Sequence, residues 1–228
     1  MKLFKNVVLV FAFCLFWGMA SAQDYVKHPH GIDIVAGSVK IGLEIYTPSA
    51  IRVVKSPLGR EYKKESLSVI SSPVATRFEV QKHGNILTLK TQKMEIRINV
   101  ASGILSFFAA DGKKLLTESG PPVFTPFDDA GVEAFNVSQS FILEENEAIY
   151  GLGQLQNGKM SQRNQTKRLV QGNVEDVVTF FQSVKGYGLF WDNYSPTTFE
   201  DNSAGTSFSS EVGDCVDYYF MYGGNADG

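Results

Sequence analysis

Between Lys93 and Val100 the chain reads KMEIRINV, polar and apolar residues alternating without a break over eight positions. A period of two is the side-chain period of a β-strand, so Met94, Ile96, Ile98 and Val100 must share one face and Lys93, Glu95, Arg97 and Asn99 the other. Almost nothing in the rest of the sequence has a helical period. Residues 77–81 and 85–91 read as a hairpin about His83-Gly84, and residues 105–108 and 115–116 as another. Asp111-Gly112, between the latter two, predicts a type I′ turn, in which both central residues need φ > 0. Further strands are predicted over 39–46, 50–54, 134–143, 177–183, 188–191, 197–200, 206–210 and 216–222. Short strands with turn signals roughly every eight to twelve residues predict an all-β fold, an antiparallel β-sandwich or barrel. The one long stretch without a strand pattern, residues 151–176, predicts a loop that is functional or disordered.

The first residues predict a compartment. Lys2 and Lys5 precede an uncharged apolar run over 7–17, followed by Ala20-Ser21-Ala22. These are the marks of a secretory signal peptide over residues 1–22, and the run is too short for the about 20 residues that span a bilayer. Phe13 before Cys14 argues against a lipid anchor. The expected division is thus a leader (1–22), a flexible tail (23–30) and one β domain (31–228), secreted or periplasmic. A net charge of −3 argues against nucleic acid or an anionic membrane as partner. With the leader gone Cys215 is the remaining thiol, so no intrachain disulfide is expected, and its neighbours Asp214 and Val216 suit a strand residue.

Gly153-Gln154-Leu155-Gln156-Asn157-Gly158-Lys159 fits a phosphate-binding loop for seven positions, and the eighth is Met160 instead of Ser or Thr. Such a loop must lead from a buried strand into a helix whose N-terminal amides complete the anion site. The residues after Lys159 carry no apolar helical stripe, and Met160 has no hydroxyl for Mg²⁺. No nucleotide cofactor is expected. Neither is a metal: His28 and His30 flank Pro29, which keeps them extended, and His83 sits apart in a hairpin turn. Asp128-Asp129, Glu144-Glu145, Asp192, Asp201, Asp214 and Asp217 read as solvated turn residues, none placed by sequence as a catalytic pair.

What remains is an amide- and aromatic-rich set. Gln154, Gln156, Asn157, Gln162, Asn164, Gln165, Gln171 and Asn173 fall in the long loop, and Tyr187, Trp191 and Tyr194 follow it. Amides that donate and accept at hydroxyls, beside aromatic faces that stack on C–H surfaces, suit a neutral sugar. The same residues suit an exposed polar loop beside a strand whose aromatics fill a core, and composition leaves both readings open.

Three ordered blocks carry a resemblance: IYGLGQ at 149–154, FFQSVKGYGLFWDN at 180–193 and DYYFMYGG at 217–224. Their order and spacing resemble the N-terminal domain of glycoside hydrolase family 31. GLGQ followed by GKM and LVQGN is most similar to bacterial α-xylosidases, on a scaffold that α-glucosidases share. The resemblance implies a galactose-mutarotase-like β-sandwich and a following (β/α)8 barrel that supplies both catalytic aspartates. The sequence stops at Gly228, where the family continues into that barrel, so no catalytic residue is expected here. It further implies that a loop of this domain walls the sugar pocket, placing Gln171 and Asn173 toward an oligosaccharide, with Gln154 and Trp191 as lesser candidates. Asn173 stands where many α-glucosidases have Asp. A free-standing carbohydrate-binding module is the alternative; an aldose epimerase would need His with Glu about a sugar ring.

Overall fold

Eighteen strands and no helix make up the described residues, 25–60 and 65–225, of the computed structural model. They form two antiparallel sheets. The first runs β1 (Tyr25–His28), β2 (Gly31–Ala36), β3 (Val39–Thr47), β4 (Ala50–Pro57), β18 (Val216–Tyr222), β15 (Tyr187–Trp191), β14 (Asp176–Ser183) and β12 (Ile149–Gln154). The second runs β13 (Thr166–Leu169), β16 (Thr197–Asn202), β17 (Gly205–Gly213), β11 (Val132–Ile142), β9 (Lys114–Glu118), β8 (Leu105–Ala109), β7 (Met94–Asn99), β6 (Ile86–Lys90) and β5 (Glu79–His83), with β10 (Val123–Asp129) paired to β11 alone. The all-β class expected from the alternation, and the sandwich that the resemblance implies, are the architecture found.

β7 shows how the pattern becomes the fold. Met94, Ile96 and Ile98 are buried in the sandwich. On the wet face Glu95 accepts from Lys90 at 2.8 Å and Arg97 at 2.6 Å, and the Arg97 guanidinium lies 4.1 Å over the Phe108 ring. Between the sheets, Trp191 stacks on Phe208, Phe208 on Phe181, and Phe107 on Phe220 at 4.2 Å. Such ring pairs add roughly 0.5–1.5 kcal/mol each beyond area burial.

Several local expectations are corrected. The predicted leader lies outside the described residues, but part of the predicted tail does not: Tyr25–His28 is a strand, registered from Tyr25↔Ile34 to His28↔Gly31. Its backbone partner is β2, and Pro29 falls in the turn, where a missing N–H costs no ladder bond. Asp111-Gly112 does not form a type I′ turn. Only Gly112 has positive φ (89°), its N–H donates to the Ala109 carbonyl, and the ladder slips between Phe107 and Phe108. A turn closed by a left-handed glycine and a bulge is the other common hairpin solution. The long loop contains β13, whose TKRL buries only Leu169 and which exists through its ladder to β16. Cys215 is buried in the bend between β17 and β18, not in a strand.

Candidate functional site

The segment IYGLGQ does not leave the sandwich at its glycines. β12 runs on through Gln154, with Gly151 opposite Phe181 and Gly153 opposite Val177, so β14 spends 181 − 177 = 4 residues where β12 spends 153 − 151 = 2. Gly151, Leu152 and Gly153 have φ of 123°, 66° and 93°. A Cβ on Gly153 would stand 2.0 Å from the Asp176 carbonyl oxygen, and one on Gly151 2.6 Å from that of Phe180. Only glycine fits either position. Leu152 is the exception among them: its left-handed backbone costs about 1–2 kcal/mol, but its side chain is fully buried, which contributes about 1.5–3 kcal/mol and outweighs the strain.

The surplus residues of β14, Val178 and Thr179, line a groove of about 410 Å³ together with Leu169, Val170, Gln171, Phe190 and residues 192–196. A second groove of about 380 Å³ shares residues 192–195 with it and adds Asp129, Asp214 and Cys215. The polar groups of the first groove are largely engaged in holding its shape. Thr179 Oγ1 donates to the Trp191 carbonyl at 2.5 Å. Asn193 Nδ2 donates to the Val212 carbonyl at 3.0 Å, while its Oδ1 accepts from Ser195 N–H at 2.8 Å. Gln171 closes the loop that follows β13. Its Nε2 donates to the Val177 carbonyl at 2.9 Å and its Oε1 accepts the Val177 N–H at 3.1 Å. Inside that ring Gly172 N–H donates to Glu175 O at 3.2 Å, and Asn173 and Val174 stand exposed at the tip.

The buried acids are the features sequence reasoning missed. Asp201, expected in a solvated turn, is buried. It accepts from Arg163 Nε at 2.9 Å, from the Asn164 N–H at 2.6 Å and from Thr206 Oγ1. Arg163 also donates to the carbonyls of Glu144 and Glu147, so it ties residues 155–165 to the sandwich. Asp217 takes a two-pronged grip from Arg52 at 2.9 and 2.8 Å. Glu147, unremarked in sequence, accepts from Ser183 Oγ at 2.5 Å and from Tyr187 OH. Burial and then the Glu147 charge push the Tyr187 phenol well above its ordinary range. Asp192 is also buried and lines both grooves. One signal was legible: Asp201 lies two residues from core Phe199 in alternating β16, where a polar residue at a core-facing position must find a partner.

The predicted site residues part company here. Gln171 and Asn173 share the clasped loop. Gln154 is exposed at the end of β12, opposite Asp176 at the root of that loop. Trp191 is a correction: it is fully buried, its Nε1 donating to Ser210 Oγ at 2.8 Å, because β15 turns the indole inward against Phe208 of the opposite sheet. Tyr187 is likewise core, whereas Tyr194 is half-exposed on the groove. His28 lies 3.9 Å from Asp33 on the edge of one sheet, and His83 ends β5 on the edge of the other. No group of three metal-ligating side chains occurs among the described residues.

Comparison with known proteins completes the description of this site. A sequence profile of the glycosyl hydrolase 31 N-terminal galactose mutarotase-like domain matches residues 40–200. An α-xylosidase of Saccharolobus solfataricus is 27% identical over 202 residues, covering 84% of this chain and 27% of its own. The crystal structure of a GH31 α-xylosidase from Xanthomonas citri superposes with a TM-score of 0.73 at 32% identity, covering 78% of this chain and 20% of that one. A soil-metagenome GH31 α-xylosidase complexed with xylose gives a TM-score of 0.78 at 20% identity, over 88% of this chain and 32% of that one, a likeness of fold. The chain therefore spans well under half the length of the relatives it matches.

Proposed function

Because the chain belongs to the glycosyl hydrolase 31 N-terminal galactose mutarotase-like domain family, we propose that it is the non-catalytic β-sandwich of an exported α-glycosidase of the α-xylosidase type. In this reading it packs beside a (β/α)8 catalytic barrel and completes the pocket for a neutral oligosaccharide. The observation that carries the reading is the clasped loop 171–177, with the Asn173 amide at its exposed tip and Gln154 at its root. Exposed Val170, Val174 and Val178 flank that amide. Apolar side chains around a polar tip suit a surface that another folded unit covers. An amide both donates and accepts, so it suits a sugar hydroxyl without the charge a carboxylate would bring. The buried carboxylates Asp201, Asp217 and Glu147 are each held by donors of the fold, which suits support rather than acid–base work.

The purified chain tests this directly. On aryl α-xylosides and α-glucosides it should give no turnover. Calorimetry with xyloglucan oligosaccharides should show no saturable binding up to millimolar sugar, because half of the pocket belongs to the barrel. Turnover that survives purification would overturn the non-catalytic assignment, and saturable micromolar binding would favour a free-standing carbohydrate-binding module.

A further inference from the structure

Gln171 stands in the segment that the family resemblance turns toward sugar, yet its amide is bonded to the chain itself. In an antiparallel sheet the N–H and C=O of one residue point to the same side. Val177 has Gly153 opposite it in β12, and the pairing of β14 with β15 ends at Phe180↔Phe190, three residues short of Val177. The side of Val177 that β15 leaves uncovered is where the Gln171 amide lies. Its two bonds, 2.9 Å to the carbonyl and 3.1 Å from the N–H, reproduce the reciprocal pair that a strand residue would make. The ring so closed contains only Gly172 to Asp176, and the Gly172–Glu175 bond fills it. The root is held from the other side by Gly153, whose lack of a Cβ lets β12 approach the Asp176 carbonyl.

We propose that Gln171 is a positioning residue, a side-chain clasp on Val177 that fixes the 172–176 loop and presents Asn173 in one place before any ligand arrives. What the loop serves rests on the pocket-wall reading above; the clasp does not. A side chain one methylene shorter, as in Asn, cannot span the same ring, and a carboxylate accepts at both oxygens and meets the Val177 carbonyl with repulsion.

Hydrogen exchange on this chain, read amide by amide, tests the clasp. Gln171→Ala should raise exchange of the Val177 and Gly172 amides about tenfold or more, the scale of two lost hydrogen bonds, and leave Leu189 and Phe220 in the sheet centre unchanged. Gln171→Glu supplies the control that a merely structural position would not show. Its ionised form should expose Val177 as the alanine does. Its protonated form again offers one donor and one acceptor, so protection of Val177 should return as pH falls through the ordinary carboxylate range near ~4.3. Glu175 and Asp176 on the loop and Asp192 in the groove add negative charge near that carboxyl and move the return to somewhat higher pH. Unchanged exchange in Gln171→Ala, an equal rise at Leu189 and Phe220, or no recovery of Gln171→Glu in acid would each overturn the proposal. Failure of the pocket-wall reading would leave these exchange results standing.

Discussion

Replacing Lys55 should be among the costliest single substitutions in the sandwich. Lys55 sits on β4 with no exposed surface, facing the second sheet across the core. Its Nζ donates to Glu118 Oε2 at 2.6 Å, to the Gly103 carbonyl at 3.0 Å and to Gln139 Oε1 at 3.3 Å. Glu118 in turn accepts the Tyr218 OH at 2.7 Å and the Leu105 N–H at 2.7 Å. Two sheets are thereby cross-linked through one buried ion pair. Lys55→Met keeps the volume and removes the cation, leaving a buried carboxylate with neutral donors alone. Breaking such a pair costs about 3–5 kcal/mol, a large part of the about 5–15 kcal/mol that stabilises a domain. For a chain of this size that is a fall in Tm of roughly 6–20 °C. Lys55→Met/Glu118→Gln removes both charges, keeps an amide oxygen for the Leu105 N–H, and turns an amide N–H toward Tyr218, whose hydroxyl can accept it. It should recover at least half of the loss. Urea denaturation followed by circular dichroism, with all four members of the cycle, measures the coupling. A loss below about 1 kcal/mol for Lys55→Met, or a double variant as unstable as the sum of the singles, would refute the reasoning that uncompensated charge is the dominant cost.

Gly153→Ala should destabilise by more than about 3 kcal/mol in the same denaturation assay, since its Cβ collides with the Asp176 carbonyl, whereas Gly158→Ala, with nothing near its Cβ, should cost only the about 1–2 kcal/mol of a left-handed backbone. Ala130 and Gly131 form the β10–β11 turn with φ of 52° and 90°, so Ala130→Asn should raise stability by about 0.5–1 kcal/mol by installing the Asn-Gly pair that a type I′ turn favours. Alkali should unfold the domain steeply. Burial first, and then Glu147 and Glu118 respectively, raise Tyr187 and Tyr218 well above their ordinary range. The folded state therefore keeps two protons that the unfolded state releases near pH ~10, and stability present below that pH falls above it by about 1.4 kcal/mol per pH unit for each tyrosine. Lys55, lowered chiefly by burial against the opposing pull of Glu118, contributes the opposite sign until unfolded lysine titrates near ~10.4. Urea midpoints measured on either side of pH ~10 should show the fall, and Tyr218→Phe should remove one tyrosine's share of the slope; a flat profile would contradict it.

Much of this fold was readable because burial writes a period of two into a strand. The alternation at 93–100, the LFW and YYF runs and the hairpin signals each correspond to a strand in the sandwich. What escaped reading were mostly elements with no side-chain period to read; β2 is the exception, since Ile32, Ile34 and Ala36 alternate into the core and it was still missed. β1 and β13 bury little and exist through the ladders of β2 and β16. β10 carries Pro126 and exposes almost every residue, so its Val, Phe and Thr show no buried alternation. The candidate site divided in the same way. The amides and glycines of the 151–176 stretch were visible in the sequence, but which amide faces outward was not.

Sequence by itself determined an all-β antiparallel fold, sandwich or barrel, because alternate apolar residues need a second layer over one face and almost nothing in the chain has a helical period to supply it. It also placed the domain within its family, through three blocks whose spacing the sandwich keeps. Only the tertiary structure decided that Trp191 is core, that Asp201 and Asp217 are held in buried ion pairs, and that Gln171 clasps Val177 while Asn173 stands clear. Each of those outcomes depends on which strand ends beside which. β15 stops short of Val177, β12 crosses Asp176 at a glycine, and a side chain's partner is then set by residues distant in sequence. Local pattern carries the period of a strand; the partner at its end is a property of the assembled sheets.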